Sequence, residues 1–176
     1  MYVLKKYPAN DSICIYEGAL SDELCDSIVD LFEQHNGKAS TDIPVMTRYT
    51  GTSSNMYLLH PESEFTDGIK TELDVEIFKA FNETIEDYQK TFYWLSDCPE
   101  IVDSGYRIQK YEVGKDQYSE HIDGDPWSLA YQGRLCGVVM YLNTVDEGGE
   151  TYFPHQKIGI KPVKGTIAIF PANWTH

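Results

Sequence analysis

The chain has 176 residues, and its 14 lysines and arginines against 28 aspartates and glutamates give a formal net charge of −14 with histidine counted as neutral. Because this excess of carboxylates repels phosphate, we expect no nucleic-acid partner. The content of 41% apolar and 13% aromatic residues excludes a disordered chain and suits one folded domain. Since no apolar run approaches a membrane span and the start lacks a secretory signal, we expect a soluble cytoplasmic protein without a membrane partner.

The four cysteines are scattered along the chain and form no C-x-x-C pair. We therefore expect buried free thiols in a reducing compartment, in preference to disulfides or metal ligands. None of them is a candidate site residue: Cys14, Cys25, Cys98 and Cys136.

Two helices are predicted in the first hundred residues. Ser21 can cap a helix that runs to about His35 and ends at Asn36-Gly37, with one apolar face formed by Leu24, Ile28, Leu31 and Phe32. A longer helix over 66–94 follows from apolar residues three or four positions apart, namely Ile69, Leu73, Ile77, Phe81, Ile85, Tyr88 and Phe92. Between them, 38–62 is predicted as loops with one short strand at 57–59.

Beyond Cys98-Pro99 the pattern changes to short strands separated by glycine and proline. The strands are predicted at 106–113, 119–123, 135–142, 150–153, 158–163 and 166–170. Helices followed by a run of strands indicate an α+β fold, in which N-terminal helices pack on a small antiparallel barrel or jelly roll.

His121 and Asp123 form the first candidate for chemistry. On a strand, side chains two residues apart share a face, so an imidazole and a carboxylate could bind one ion. A third ligand could come from His176, whereas His155 follows a strand end and is better explained as a solvated loop residue. Two histidines and one aspartate are typical of non-haem Fe(II) oxygenases, and zinc is the competing ion.

The residues around this pair carry a longer pattern. It consists of Tyr111, Gly114, Tyr118, His121, Asp123, Arg134, Tyr141-Leu142-Asn143, Val145, Gly148-Gly149-Glu150-Thr151, Phe153-Pro154, Ile160-Lys161-Pro162, Gly165 and Phe170. In this joint spacing, residues 104–176 resemble the catalytic domain of prolyl 4-hydroxylases, a branch of the 2-oxoglutarate- and Fe(II)-dependent dioxygenases.

The resemblance implies a double-stranded β-helix that holds Fe(II) through His121, Asp123 and a distal histidine, here His176. It also implies 2-oxoglutarate and O2 as cosubstrates, with succinate and CO2 released as an unactivated C–H is hydroxylated, and ascorbate as reductant. Tyr111 and Tyr141 match tyrosines of the cosubstrate pocket, although core tyrosines on strands would look the same.

For the substrate, the resemblance implies a peptide or protein hydroxylated at proline, and the acidic chain would suit a basic peptide. Arg134 matches an arginine at the mouth of the site, and Trp127 and Tyr131 are candidates for substrate contact, or equally for core packing. Gly148-Gly149 predicts a tight turn with positive φ.

Members of this family continue past the distal histidine with a closing strand and, about ten residues on, a lysine or arginine that pairs with 2-oxoglutarate. We therefore expect one domain over 1–176, truncated at its C-terminus and lacking its last strand, with 1–103 a mainly helical support region and 104–176 the dioxygenase core. Three alternatives stay open: a non-catalytic metal- or ligand-binding jelly roll, the same oxygenase chemistry on a small metabolite or nucleobase, and a zinc hydrolase.

Overall fold

The computed structural model describes residues 2–7, 10–34, 49–50, 54–58, 70–92, 95, 97–98, 106–124 and 133–173. Two helices lie in these ranges, α1 (Asp22–Gln34) and α2 (Lys70–Thr91). The strands are β1 (Val3–Tyr7), β2 (Asn10–Glu17), β3 (Tyr49–Thr50), β4 (Ser54–Leu58), β5 (Tyr106–Lys110), β6 (Gln117–Tyr118), β7 (Cys136–Tyr141), β8 (Thr151–Phe153), β9 (Ile158–Ile160) and β10 (Thr166–Pro171). The fold is thus α+β, with helices and antiparallel strands.

An antiparallel sheet of four strands, in the order β1-β2-β10-β7, holds the chain together. Ile15 of β2 lies opposite Ala168 of β10, and Phe170 of β10 lies opposite Gly137 of β7. Since successive side chains of a strand point to opposite faces, this register divides the interior into two apolar clusters, one on each face of the sheet.

The two helices cover one face of this sheet. Cys14 and Tyr16 of β2 and Ile167 and Ile169 of β10 pack there against both helices, whose buried apolar residues include Leu24, Ile28, Ile77, Phe81, Ile85 and Tyr88. The Ser21 hydroxyl accepts a hydrogen bond at 3.1 Å from the backbone N–H of Leu24, so the predicted N-cap of α1 is confirmed.

The hairpin of β8 and β9 supplies the apolar residues that pack against the other face. Phe153 of β8 meets Phe170 of β10 edge to face, with ring centroids 5.0 Å apart. Gly137, Val139 and Tyr141 of β7 point to this side, because they alternate with Cys136, Val138 and Met140, which pack on the helical side. Hereafter we call this side the hairpin side of the sheet.

The structure corrects the prediction for the N-terminal region. β1 and β2 were not predicted, and β2 is buried on both faces, with Ile13, Cys14, Ile15 and Tyr16 at most 6% exposed. Such a strand lacks the polar and apolar alternation that identifies strands in a sequence. The region 1–103 thereby supplies two of the four strands of the main sheet in addition to the helices.

Other boundaries differ from the predictions by a few residues. β4 covers Ser54–Leu58, with β3 before it, where the sequence predicted one strand at 57–59. The strands predicted at 106–113 and 158–163 end at Lys110 and Ile160. The predicted stop of α1 at Asn36-Gly37 and the first turn predicted at 66–69 lie outside the described residues.

The predictions for the cysteines and for the turn at Gly148-Gly149 are confirmed. The cysteines are free thiols, Cys14 and Cys25 buried and Cys98 and Cys136 half-buried. Gly148 and Gly149 have φ values of 82° and 71°, as the predicted turn requires. Among the described residues, no helix has the length and apolar character needed to cross a membrane.

Candidate metal centre

His121 and Asp123 lie in an irregular segment and not on a strand, so the strand predicted at 119–123 was wrong. The segment leaves β6 after Tyr118 and is attached to the end of β10, because the N–H of Gly124 donates a 2.6 Å hydrogen bond to the carbonyl of Ala172. Ala172 in turn donates to the carbonyl of Leu135 at 3.1 Å. The backbone hydrogen bond from Gly124 to Ala172, and not strand alternation, therefore anchors the segment that carries the pair.

The imidazole of His121 is held in one orientation. Its Nδ1 lies 2.9 Å from the carbonyl oxygen of Ser119, which can only accept, so Nδ1 carries a hydrogen and donates it. The ring of Tyr118 packs against the imidazole with centroids 4.2 Å apart. A backbone carbonyl at one ring nitrogen, with the other left for a ligand, is the usual arrangement around a metal-binding histidine.

The remaining ring nitrogen, Nε2, faces a carboxylate oxygen. It lies 3.1 Å from Oδ1 of Asp123, and the two side chains are 17% and 24% exposed. Since Nδ1 holds the hydrogen of the neutral ring, Nε2 presents a lone pair to an oxygen that also only accepts. Such a contact is repulsive unless a proton or a metal ion lies between the two atoms.

The spacing of these two atoms suits a metal ion. Two ligands at 90° to each other and about 2.1 Å from an ion are about 3.0 Å apart, close to the separation of His121 Nε2 and Asp123 Oδ1. One more charged group lies near the carboxylate: Nη1 of Arg134 is 4.0 Å from Asp123 Oδ1, and the arginine side chain is 39% exposed.

The two remaining histidines considered as ligands are His155 and His176. His155 is exposed in the turn between β8 and β9, as predicted for a solvated loop residue, whereas His176 lies outside the described residues. Within the described parts of the chain, no group of three or more histidine, cysteine, aspartate or glutamate side chains could hold a metal ion. The described residues thus contain two of the three predicted ligands.

Tyr141 lies on the hairpin side of the sheet, four residues along β7 from Gly137. It is 8% exposed, and its hydroxyl donates a 2.7 Å hydrogen bond to Oγ1 of Thr151. Tyr111, by contrast, is 42% exposed just beyond the end of β5. Trp127 and Tyr131 lie outside the described residues. Of the predicted site residues, the structure therefore brings His121, Asp123 and Arg134 together.

One residue close to this pair was not found from the sequence. Gly137 is buried in β7, and a Cβ atom built on it would lie 2.8 Å from Asp123 Oδ2. A lone glycine inside an apolar strand often marks a close approach of another group, so Leu135-Cys136-Gly137-Val138-Val139 did contain a signal.

Comparison with known proteins gives relatives of one kind. No protein-family model matches the chain. "Probable prolyl 4-hydroxylase 10" of Arabidopsis thaliana is 27% identical over 146 residues, covering 81% of this chain and 45% of the relative. "Probable prolyl 4-hydroxylase 7" of the same plant is 30% identical over 156 residues, covering 82% and 42%. The chain thus spans less than half the length of these curated relatives.

Solved structures agree with this result. A viral collagen prolyl hydroxylase from Paramecium Bursaria Chlorella virus-1, solved as a 2OG complex, matches with a TM-score of 0.63 and 24% identity over 91% of this chain and 77% of its own. A Pseudomonas putida prolyl-4-hydroxylase matches with a TM-score of 0.62 and 13% identity over 92% and 80%. The resemblance to prolyl 4-hydroxylases is confirmed, and the fold is shared with these enzymes.

Proposed function

We propose that this chain, which resembles prolyl 4-hydroxylases in sequence and fold, is the catalytic region of a 2-oxoglutarate- and Fe(II)-dependent dioxygenase that hydroxylates a peptidyl proline. The observation that carries the proposal is the pair of facing acceptors, His121 Nε2 and Asp123 Oδ1, at 3.1 Å. The main sheet and the β8-β9 hairpin enclose one apolar cluster, as two facing sheets of a double-stranded β-helix would.

Iron is the ion that this donor set suits. An imidazole and a carboxylate with open coordination positions are typical of non-haem Fe(II). The thiol of Cys136 in β7 faces the helical side of the sheet, away from this pair. Gly124 is hydrogen-bonded to Ala172. His176 follows Ala172 by four residues, which span at most about 14 Å when extended. This length of chain is enough for His176 to be the third ligand, which the resemblance implies.

Bound Fe(II), with 2-oxoglutarate and O2, supplies the oxidising power for C–H hydroxylation, with succinate and CO2 as products and ascorbate as reductant. The chain's own part is to hold and enclose these groups. A tyrosine hydroxyl is a neutral donor suited to a carboxylate, and Tyr141, enclosed on the hairpin side, is our candidate for the cosubstrate. Its hydrogen bond would turn from Thr151 to the carboxylate when the cosubstrate binds. Tyr111 is a second candidate for binding the cosubstrate, because it matches a tyrosine of the cosubstrate pocket in the family.

The substrate would approach over a rim of mixed character. The guanidinium of Arg134 lies 4.0 Å from Asp123 Oδ1. Ile122 precedes Asp123 in sequence and Leu135 follows Arg134, and their side chains are 39% and 42% exposed. Such a rim suits a peptide with a carbonyl or carboxylate for the arginine and an apolar ring beside it. Trp127 and Tyr131 are further candidates from the resemblance, and the net charge of −14 favours encounter with basic peptides.

The test is metal binding followed by turnover, on the whole 176-residue chain. Titration with Mn(II), followed by the loss of its free-ion EPR signal, should show one site, and addition of Fe(II) and 2-oxoglutarate without O2 should produce the weak visible band of a chelated keto acid. Proline-containing peptides should then give succinate when O2 and ascorbate are added. His121→Ala and Asp123→Ala should lose the site.

The matched control is His155→Ala, which removes an exposed histidine and should leave the Mn(II) titration unchanged. Absence of both Mn(II) binding and the visible band would refute the iron site. Metal binding and the band without succinate from any peptide would favour the non-catalytic alternative. Succinate formed with a free metabolite in place of peptides would move the substrate to that class.

A further inference from the structure

Gly137 occupies a position where a side chain would be expected. It is the buried second residue of the apolar strand β7, between Cys136 and Val138, and its φ lies outside the left-handed region that favours glycine. Glycine inside a strand weakens it, because the residue loses more conformational freedom on folding and has no side chain to pack. The backbone conformation at this position does not require glycine, so the reason for a glycine must lie in the groups that surround it.

Two groups already fill the space that a Cβ would need. An ideal Cβ on Gly137 would be 2.8 Å from Asp123 Oδ2 and 2.8 Å from Cζ of Phe170, and it would overlap Cε2 of the same ring. Real Cβ atoms do not come so close to other heavy atoms, so both groups would have to move.

We propose that Gly137 is a positioning residue for Asp123: its bare Cα is the seat on which Oδ2 rests, so that Oδ1 is turned towards His121 Nε2. The inference rests on the metal site proposed above. Asp123 belongs to no strand, and the hydrogen bond from Gly124 to Ala172 fixes only its backbone. The seat on Gly137 fixes the rotation of the carboxylate and hence the cis arrangement of the two ligand atoms.

Both groups must give way when the seat is filled, and the carboxylate of Asp123 moves further than the ring of Phe170. Phe170 is 2% exposed and packed edge to face against Phe153 inside the cluster on the hairpin side. Asp123 is 24% exposed and lies in an irregular segment, so it can turn towards solvent. In a close-packed interior the less confined group moves further. Gly137→Ala should therefore push Oδ2 outward and carry Oδ1 away from His121 Nε2.

The experiment compares the Mn(II) affinity of the full chain with that of Gly137→Ala, using EPR to follow free Mn(II). We expect the variant to bind at least tenfold more weakly, as is common when a group that orients a metal ligand is changed. The matched control is Gly159→Ala, another strand glycine, whose Cβ would meet Tyr152 at 3.7 Å and Glu150 at 3.9 Å, both ordinary contacts. Thermal unfolding in EDTA reports any general loss of stability separately.

A second variant separates the carboxylate from the ring. Phe170→Leu removes the ring atoms that the new methyl group would meet, so Gly137→Ala/Phe170→Leu retains only the conflict with Asp123. We expect it to bind Mn(II) at least tenfold more weakly than Phe170→Leu alone. Equal affinities, or a Gly137→Ala variant that binds like wild type, would overturn the role of Gly137 as a seat.

The remaining outcomes are also decisive. If neither Gly137→Ala nor the double variant folds, Gly137 serves core packing and the inference fails. If the wild-type chain itself binds no Mn(II), the proposed metal site fails first. A wild-type chain that binds Mn(II) with an unaffected Gly137→Ala variant refutes the seat alone.

Discussion

The hydroxyl of Tyr88, in α2, donates a 2.8 Å hydrogen bond to the carbonyl oxygen of Ser12, in β2. Tyr88 is 1% exposed, and burial raises its pKa. Because the donor belongs to the helical layer and the acceptor to the main sheet, this bond fixes how the two layers sit on each other.

Tyr88→Phe removes that bond and leaves the packing of the ring in place. We expect the free energy of unfolding to fall by about 1 kcal/mol, the usual net value of one buried hydrogen bond. Urea unfolding should show a lower midpoint with an unchanged m-value. Tyr152→Phe, at a position 54% exposed, is the control and should leave the midpoint where it is. Equal midpoints for all three proteins would show that the bond adds nothing to stability.

Gly165 and Gly18 give a matched pair of substitutions. Both have positive φ, 79° and 70°, but a Cβ on Gly165 would be 2.6 Å from the carbonyl oxygen of Leu20, whereas one on Gly18 would meet nothing within 4 Å. We expect Gly18→Ala to cost about 1 kcal/mol from backbone strain alone, and Gly165→Ala about 3 kcal/mol with the added overlap. Differential scanning calorimetry would rank them, and equal costs would contradict the close approach.

Arg134 should weaken metal binding at the proposed site. Its guanidinium lies 4.0 Å from Asp123 Oδ1 and repels a cation bound there. We expect Arg134→Gln to raise the Mn(II) affinity by about 1 kcal/mol, or roughly fivefold, and Arg134→Lys, which keeps the charge, to change it little. Calorimetric titration measures both, and 0.5 M salt should reduce the difference. An unchanged affinity in Arg134→Gln would confine this arginine to other roles.

Because of Cys136, we expect the free energy of unfolding to depend on pH in the alkaline range. Burial, together with the neighbouring Cys14 and Cys98, raises the pKa of its thiol to about 12. The folded state therefore favours the neutral thiol, and this stability is complete below about pH 9, where the unfolded thiol begins to ionise, and is lost as pH rises towards 12. We expect the free energy of unfolding to fall by up to about 1.4 kcal/mol per pH unit in this window.

The measurement is urea unfolding at pH 8 to 10, a range that limits the contribution of Tyr16 and Tyr88, whose pKa values burial also raises. Cys136→Ala should lower the starting stability and flatten the dependence on pH. Iodoacetamide should leave Cys136 unmodified at pH 8.5 in the folded protein and modify it in urea. A slope that is the same in Cys136→Ala and wild type would assign the effect to other groups.

The sequence predicted those elements whose pattern involves residues close together in the chain. The apolar stripe of α1 and the Ser21 cap involve residues three or four apart, so helix and start were both predicted. β2 was missed because its partners, β1 and β10, bury both of its faces, and nothing in a short apolar run distinguishes such a strand from a buried helix segment.

The candidate site shows the same division. The spacing of His121 and Asp123 predicts that their side chains lie close together, as they do. The reason differs from the prediction, because the segment is no strand and is anchored by the hydrogen bond from Gly124 to Ala172. Gly137 could not be assigned from sequence, because its importance depends on Asp123 and Phe170 approaching it from two other segments. The roles proposed for Tyr111 and Tyr141 rest on the family resemblance, because spacing alone predicts core tyrosines.

The central place of β2 has a consequence for synthesis on the ribosome. Ile15 pairs with Ala168, so a strand made at the start of the chain waits for one made near its end. At roughly 5 to 20 residues per second, that wait is on the order of 10 to 30 s. During it, two apolar faces and an open strand edge are exposed to other chains. The nascent polypeptide is therefore a natural client for chaperones that bind extended apolar segments, and release from them would have to follow the emergence of β10.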